Sequence, residues 1–248
     1  MNTTALTYNA NIVDWSNPVT KGLVGAFRCR EGAGKMAFDA SRLTLPPGTL
    51  TNDAVFKKGI IQGCNFDGTG DYITFGTNFK GYDNKSIVTI SAIVCFTAIT
   101  NGAIINRWSG AATNAGLWGL NTKNTGTWYF VVYNQTNWNN GYIYKITGAG
   151  SLVAGVKYHL LATWNGIANT VDLYTNGVKW TGALITSGTL PTTIEAKSVS
   201  TRIGCAEESS GINGLPINGI VGDALLWDRG LTDTEARQLY LTNNNIYL

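Results

Sequence analysis

The side chains best suited to chemistry in this sequence are aromatic rings and amides. Tyr129, Tyr133, Trp138, Asn140 and Tyr142, with Asn139 and Tyr144 beside them, fall within one short stretch, and Trp108 precedes them in Asn106-Arg107-Trp108-Ser109. Sugar rings present C–H faces that stack on Trp or Tyr, while amides hydrogen-bond the hydroxyls. The chemistry on offer is the holding of a glycan. Rings of this kind also pack beneath long loops or against another subunit, and Trp108 alternatively belongs to the core.

Bond-breaking chemistry finds less support. Hydrolysis of a glycosidic bond ordinarily uses two carboxyl groups that flank it. The glutamates are Glu31, Glu195, Glu207, Glu208 and Glu235, and none has a partner at a spacing that would put both on one strand face. Glu207 and Glu208 are adjacent, so on a strand they point to opposite sides. His159 is the single histidine, and no G-x-S-x-G elbow accompanies it. The sequence therefore predicts a protein that is not an enzyme, with a polysaccharide-degrading activity as the lesser alternative.

Composition narrows the class further. Of 248 residues, 13% are charged and 30 are Gly, a profile of tight turns and a polar, uncharged surface. The formal net charge is +3, spread along the chain without a basic run, so nucleic acid is not an expected partner. No apolar run is long enough to span a bilayer. Met1-Asn2-Thr3-Thr4-Ala5 lacks the basic and apolar regions of a signal peptide. Cys29, Cys64, Cys95 and Cys205 form no CxxC motif. Their even number permits two disulfides, but free buried thiols are expected for a chain without an export signal.

The elements that must position these groups are strands. Gly22 to Phe27 opens the series, followed by a Glu31–Gly34 turn and a loop containing Pro46, Pro47 and Gly48. Gly63–Phe66 and Tyr72–Phe75 flank a Gly/Asp turn, and Ser86 to Phe96 reads as a central, doubly buried strand. Further strands are predicted at Ala103–Ile105, Gly116–Leu120, Trp128–Tyr133, Tyr142–Ile146, His159–Trp164, Val171–Tyr174, Ser200–Gly204 and Ile220–Trp227. Asn176-Gly177 is a strong two-residue hairpin signal. Thr232-x-x-Glu235 is a capping box that should start a short helix running to about Tyr240. The reading is an N-terminal arm over residues 1–20 and one all-β domain over 21–248.

The order of GLVGAF, EGAG, CNFDGTGDYITF, TISAIVCF, YHLLATW, LYTNGV, RIGC and GDALLWDRGLTDTEARQLY resembles laminin-G-like domains of the concanavalin A-like lectin–glucanase superfamily. The resemblance runs from about Gly22 to Tyr240. It implies a jelly-roll β-sandwich of two antiparallel sheets with a short C-terminal helix, a fold that commonly binds glycans. In that register Trp128, Phe130 and Val132 face the core, and Tyr129 and Tyr133 face outward. The resemblance also implies a structural Ca²⁺ drawing on Asp39, Asp67 and Asp223, although Arg42 sits where family members have an Asn/Gly-rich loop. Asp67 and Asp71 have an alternative role as acceptors in Asx turns.

Trp15-Ser16-Asn17-Pro18 before Gly22-Leu23-Val24 further resembles versions carried by tailed bacteriophages as virion proteins. The function this implies is a non-catalytic, virion-associated module that attaches to surface polysaccharide. It would be assembled in the host cytoplasm and contact other virion proteins or sister subunits through its arm. A purely structural decoration protein is the alternative.

Overall fold

Alternation of apolar and polar residues gives each strand a core face and an outer face, and the chain stacks two sheets on their core faces. The computed structural model describes residues 12–42, 45–108, 117–134, 141–207, 213–242 and 246. The eight-stranded sheet runs in the order Val178–Trp180, Thr170–Thr175, Lys157–Asn165, Ile87–Ala98, Asn218–Trp227, Gln62–Asp67, Val55–Lys58, and Leu23–Phe27 pairs additionally with Asn218–Trp227. The nine-stranded sheet runs Leu184–Gly188, Gly141–Ile146, Thr127–Tyr133, Trp118–Lys123, Gly102–Arg107, Thr201–Ile203, Tyr72–Thr74, Gly48–Thr51, Met36–Ala37. Ala206–Glu207 and Asn213–Gly214 form a separate two-stranded ribbon. The expected jelly-roll sandwich is the observed one.

Between the sheets lie Trp118, Trp128, Trp164, Phe66, Phe130 and Ile203, all fully or almost fully buried. Each large apolar side chain removed from water contributes about 1.5–3 kcal/mol before entropy is charged against it. Ile87–Ala98 occupies the centre of its sheet, as its apolar run predicts. Val88, Ile90, Ala92, Val94 and Phe96 enter the main core, while Ile93 and Cys95 form a small cluster with Ile61 and Ile220 on the other face. The Asn176-Gly177 hairpin is present, with φ of 52° and 73°, the left-handed pair that a two-residue turn between twisted strands requires.

The outer face of the eight-stranded sheet is roofed. Helix Asp233–Leu241 begins at the expected capping box, in which Glu235 N–H donates to Thr232 Oγ1 at 3.2 Å and Thr232 N–H donates to Glu235 Oε2 at 2.9 Å. Its Ala236 and Leu239 pack with Val13, Val19, Leu161, Tyr174, Leu225 and Trp227. Trp227 Nε1–H donates to Val19 O at 2.8 Å, tying the N-terminal segment down. Tyr240, near the end of the helix, is 38% exposed and lies over the His159 ring at 6.3 Å.

Among the described residues, the strands of four or more residues without a counterpart in the sequence reading are Gly48–Thr51, Val55–Lys58 and Leu184–Gly188, and the two-residue strands Met36–Ala37, Ala206–Glu207 and Asn213–Gly214 have none either. Gly48–Thr51 follows Pro46 and Pro47 directly, so its signal is masked by strand breakers. Leu184–Gly188 is a largely exposed edge strand without the apolar alternation that burial imposes. All four cysteines are buried free thiols. Burial pushes the Cys64 thiol up to about 12 and the Cys205 thiol up to about 11, which leaves them unreactive at neutral pH. Among the described residues no helix is long and apolar enough to cross a membrane.

Candidate functional site

The outer face of the nine-stranded sheet carries an aromatic groove that no other described element covers. Along Thr127–Tyr133, Trp128, Phe130 and Val132 are fully buried, whereas Tyr129 and Tyr133 are half-buried on the outside. The neighbouring strand Gly141–Ile146 pairs so that Tyr133 stands opposite Tyr142, and Val131 opposite Tyr144. Four tyrosines thereby meet around Val131. Ring centroids lie 5.9 Å apart for Tyr129–Tyr144, 5.6 Å for Tyr142–Tyr144 and 6.2 Å for Tyr133–Tyr142. Trp108 extends the row, its ring meeting Tyr133 edge-on at 5.0 Å. Together with Lys123 the tyrosines and Val131 enclose a groove of about 230 Å³.

On the other side of Thr127–Tyr133, Gly119 stands opposite Val131 and Asn121 opposite Tyr129. Gly119 keeps the floor low, since a Cβ there would come within 2.7 Å of Asn121 Nδ2. A smaller hollow opens at this point, lined by Asn106, Trp108, Asn121 and Tyr133 among others. Asn106 is 2% exposed and donates through Nδ2 to Cys205 O at 2.8 Å. Its Oδ1 has no hydrogen-bond partner among the described residues, an arrangement that costs about 1–3 kcal/mol unless something fills it. Burial and then the neighbouring tyrosines push the Tyr129, Tyr133 and Tyr144 hydroxyls up. They therefore stay protonated and able both to donate and to accept.

Four of the six side chains predicted for ligand contact, Trp108, Tyr129, Tyr133 and Tyr142, thus come together. Trp138 and Asn140 lie outside the described residues. Sequence reasoning missed Asn106, Asn121 and Lys123 as members of the site. Only the pairing register brings them in, and a single strand read alone carries no trace of it.

The aspartates named for calcium have other commitments. Asp39 accepts from Ala26 N–H at 2.8 Å and from Ser41 N–H and Oγ at 2.9 and 2.6 Å, so it splices a loop onto the first strand. Asp67 accepts from Thr69 N–H at 2.7 Å within its own turn. Asp71, buried, accepts from Asp53 and Asp67 N–H at 2.8 and 3.0 Å. Asp223 is 1% exposed and lies 2.7 Å from Arg30 Nη2 and 3.8 Å from Arg28 Nε, two cations that oppose a third. Among the described residues no group of three or more His, Cys, Asp or Glu side chains converges as a metal site.

His159 sits on the roofed side of the molecule, away from the tyrosines. It is 2% exposed, with Nε2 2.7 Å from Ser91 Oγ. Its backbone N–H donates to Asn176 Oδ1 at 2.9 Å. Glu235 is engaged in the helix cap, and Glu207 pairs with Arg202 at 3.1 Å.

Comparison with known proteins bears on these features. The family model described as the concanavalin A-like lectin/glucanases superfamily matches residues 67–237. No curated protein matches the chain by sequence. Among solved structures, a mutant of Trypanosoma rangeli sialidase displaying trans-sialidase activity superposes with a TM-score of 0.63 at 20% identity, covering 92% of this chain and 34% of that one. T. rangeli sialidase in complex with sialic acid gives 0.62 at 19%, with the same coverage. The receptor-binding domain of the botulinum neurotoxin C/D mosaic serotype gives 0.66 at 14%, over 90% of this chain and 51% of that one. The chain spans about a third of the sialidases and half of the neurotoxin domain, and the likeness is one of fold.

These neighbours correct one expectation. The sequence predicted a protein that is not an enzyme, yet structures of the same fold include sialidases. Short spacings along the sequence do not decide which groups converge, because a sandwich assembles its surface from strands far apart in sequence. Fold, sheet order and family model agree, and the chain belongs to the concanavalin A-like lectin/glucanase superfamily.

Proposed function

We propose that this protein binds carbohydrate in the tyrosine groove of its nine-stranded sheet. The observation that carries the reading is the ring of Tyr129, Tyr133, Tyr142 and Tyr144 on an otherwise complete sandwich, where burial in the protein's own core does not account for them. Stacking of pyranose C–H faces on these rings supplies area, and the hydroxyls and the Asn106 carbonyl supply direction. The neurotoxin receptor-binding domain and the sialidase that holds sialic acid support the reading as instances of this fold in proteins that engage receptors or sugars. A glycan array with the wild-type protein, repeated with Tyr129→Ala, tests it. Retained binding by the variant, or no glycan bound by the wild type, overturns it.

A finer form of the reading sets the module on a virion, where repetition over the particle multiplies weak single-site binding to surface polysaccharide. Its support is the resemblance carried by Trp15-Ser16-Asn17-Pro18 and Gly22-Leu23-Val24. Mass spectrometry of purified particles from a host that produces the protein checks it, and absence of the chain from them removes the virion from the account.

A further inference from the structure

Acidic residues are distributed unevenly along this chain. Between Asp83 and Asp172 there is no Asp or Glu, while Lys85, Arg107, Lys123, Lys145 and Lys157 fall in the same interval. That interval contributes every strand around the tyrosine groove, from Gly102–Arg107 to Gly141–Ile146. Most of its cations are answered from outside it. Lys85 lies 2.8 Å from Asp228, Arg107 pairs with Asp83, and Lys145 lies 3.9 Å from Asp172. Lys157 stands near enough to Asp223 to favour its ionised form.

Lys123 is different. It takes part in none of the ion pairs among the described residues, and its Nζ stands 5.6 Å from the centroid of the Tyr129 ring, at the wall of the groove. Among the described residues no carboxylate lines that groove or the hollow beside it. Arg202, one strand beyond Asn106, already has Glu207 at 3.1 Å and adds little net charge. A cation held against an aromatic face, with no acidic neighbour among the described residues, is a site for an anion brought by the ligand.

We infer that the groove selects acidic glycans, with Lys123 as the group that reads a carboxylate or sulfate carried by a sugar ring stacked on the tyrosines. This inference rests on the carbohydrate reading above and adds the substrate class to it. Stacking is indifferent to the charge on a ring substituent, so the tyrosines set affinity and the lysine sets preference. The electrostatic part is screened by salt and the stacking part is not.

The test measures Kd for three oligosaccharides of matched length: one neutral, one containing uronic acid and one sulfated, each against wild type, Lys123→Gln and Tyr129→Ala. The acidic ligands should bind wild type about five- to tenfold more tightly than the neutral one at low salt, the scale of one partly screened charge pair. In Lys123→Gln that ratio should collapse towards one, and in wild type it should shrink as salt is raised. Preference for only one of the two acids identifies which anion is read and supports the inference. Equal binding of neutral and acidic ligands by wild type, or an unchanged ratio in Lys123→Gln, overturns the inference while leaving the carbohydrate reading intact. Failure of all three to bind wild type removes both.

Discussion

The two outer faces of the sandwich are built by the same alternation and are used in opposite ways. On the eight-stranded sheet the outward residues Leu161, Tyr174, Leu225 and Trp227 are apolar or nearly so, and the helix and the segment around Val13 and Val19 cover them. On the nine-stranded sheet the outward residues are tyrosines with polar tips, and no described element roofs them. The contrast teaches that an aromatic residue on an outer strand face is not in itself a sign of function. What separates the faces, among the described residues, is whether a second element completes the burial.

Mutations can sharpen or break that contrast. Trp227→Ala on the roofed face should cost about 3–5 kcal/mol, because it leaves a cavity under the helix and removes the bond to Val19 O. Urea denaturation measures it, and a loss under about 1 kcal/mol would show that the roof contributes little. Tyr129→Ala on the open face should change stability by about 1 kcal/mol or less but weaken glycan binding by about tenfold or more, read by calorimetry beside the same denaturation curve. A large stability loss there would make the two faces alike. Thr232→Ala should cost about 1 kcal/mol through the lost helix cap, with glycan affinity unmoved.

The smallest effect concerns pH. Burial, opposed by Arg30 and Arg28, raises the Asp223 carboxyl from an ordinary value of 3.8 to about 6. The folded protein then holds this proton more tightly than the unfolded chain does. The contribution of Asp223 to stability is therefore greatest below the ordinary carboxylate range and declines as pH rises from about 4 to about 6. Unfolding midpoints across that window should fall for wild type relative to Asp223→Asn; parallel profiles would mean that the group is not perturbed.

Much of the fold was legible because burial writes itself into single strands. The 128/130/132 against 129/133 alternation, the Asn176-Gly177 turn and the Thr232–Glu235 box each need only local sequence. The site was half legible for the same reason. Tyr129 and Tyr133 show their face within one strand, but Asn121 and Lys123 join them only through cross-strand register. Asp223 entered the calcium set through the resemblance alone, and its neighbours Arg28 and Arg30, nearly two hundred positions away in sequence, become visible only in the fold. Pro46 and Pro47 concealed a strand because chain breakers were read as a loop, although the pairing that follows them begins at Gly48.

The strand Asn218–Trp227 lies in the interior of its sheet, bonded to Leu23–Phe27, Gln62–Asp67 and Ile87–Ala98. During synthesis, the pieces that flank it leave the ribosome long before it does and cannot join until it arrives. Maturation of this sandwich is thus gated by one late-emerging ribbon, with slow, non-local closure as the kinetic signature. Until then the half-built layers remain exposed to chaperones and to aggregation.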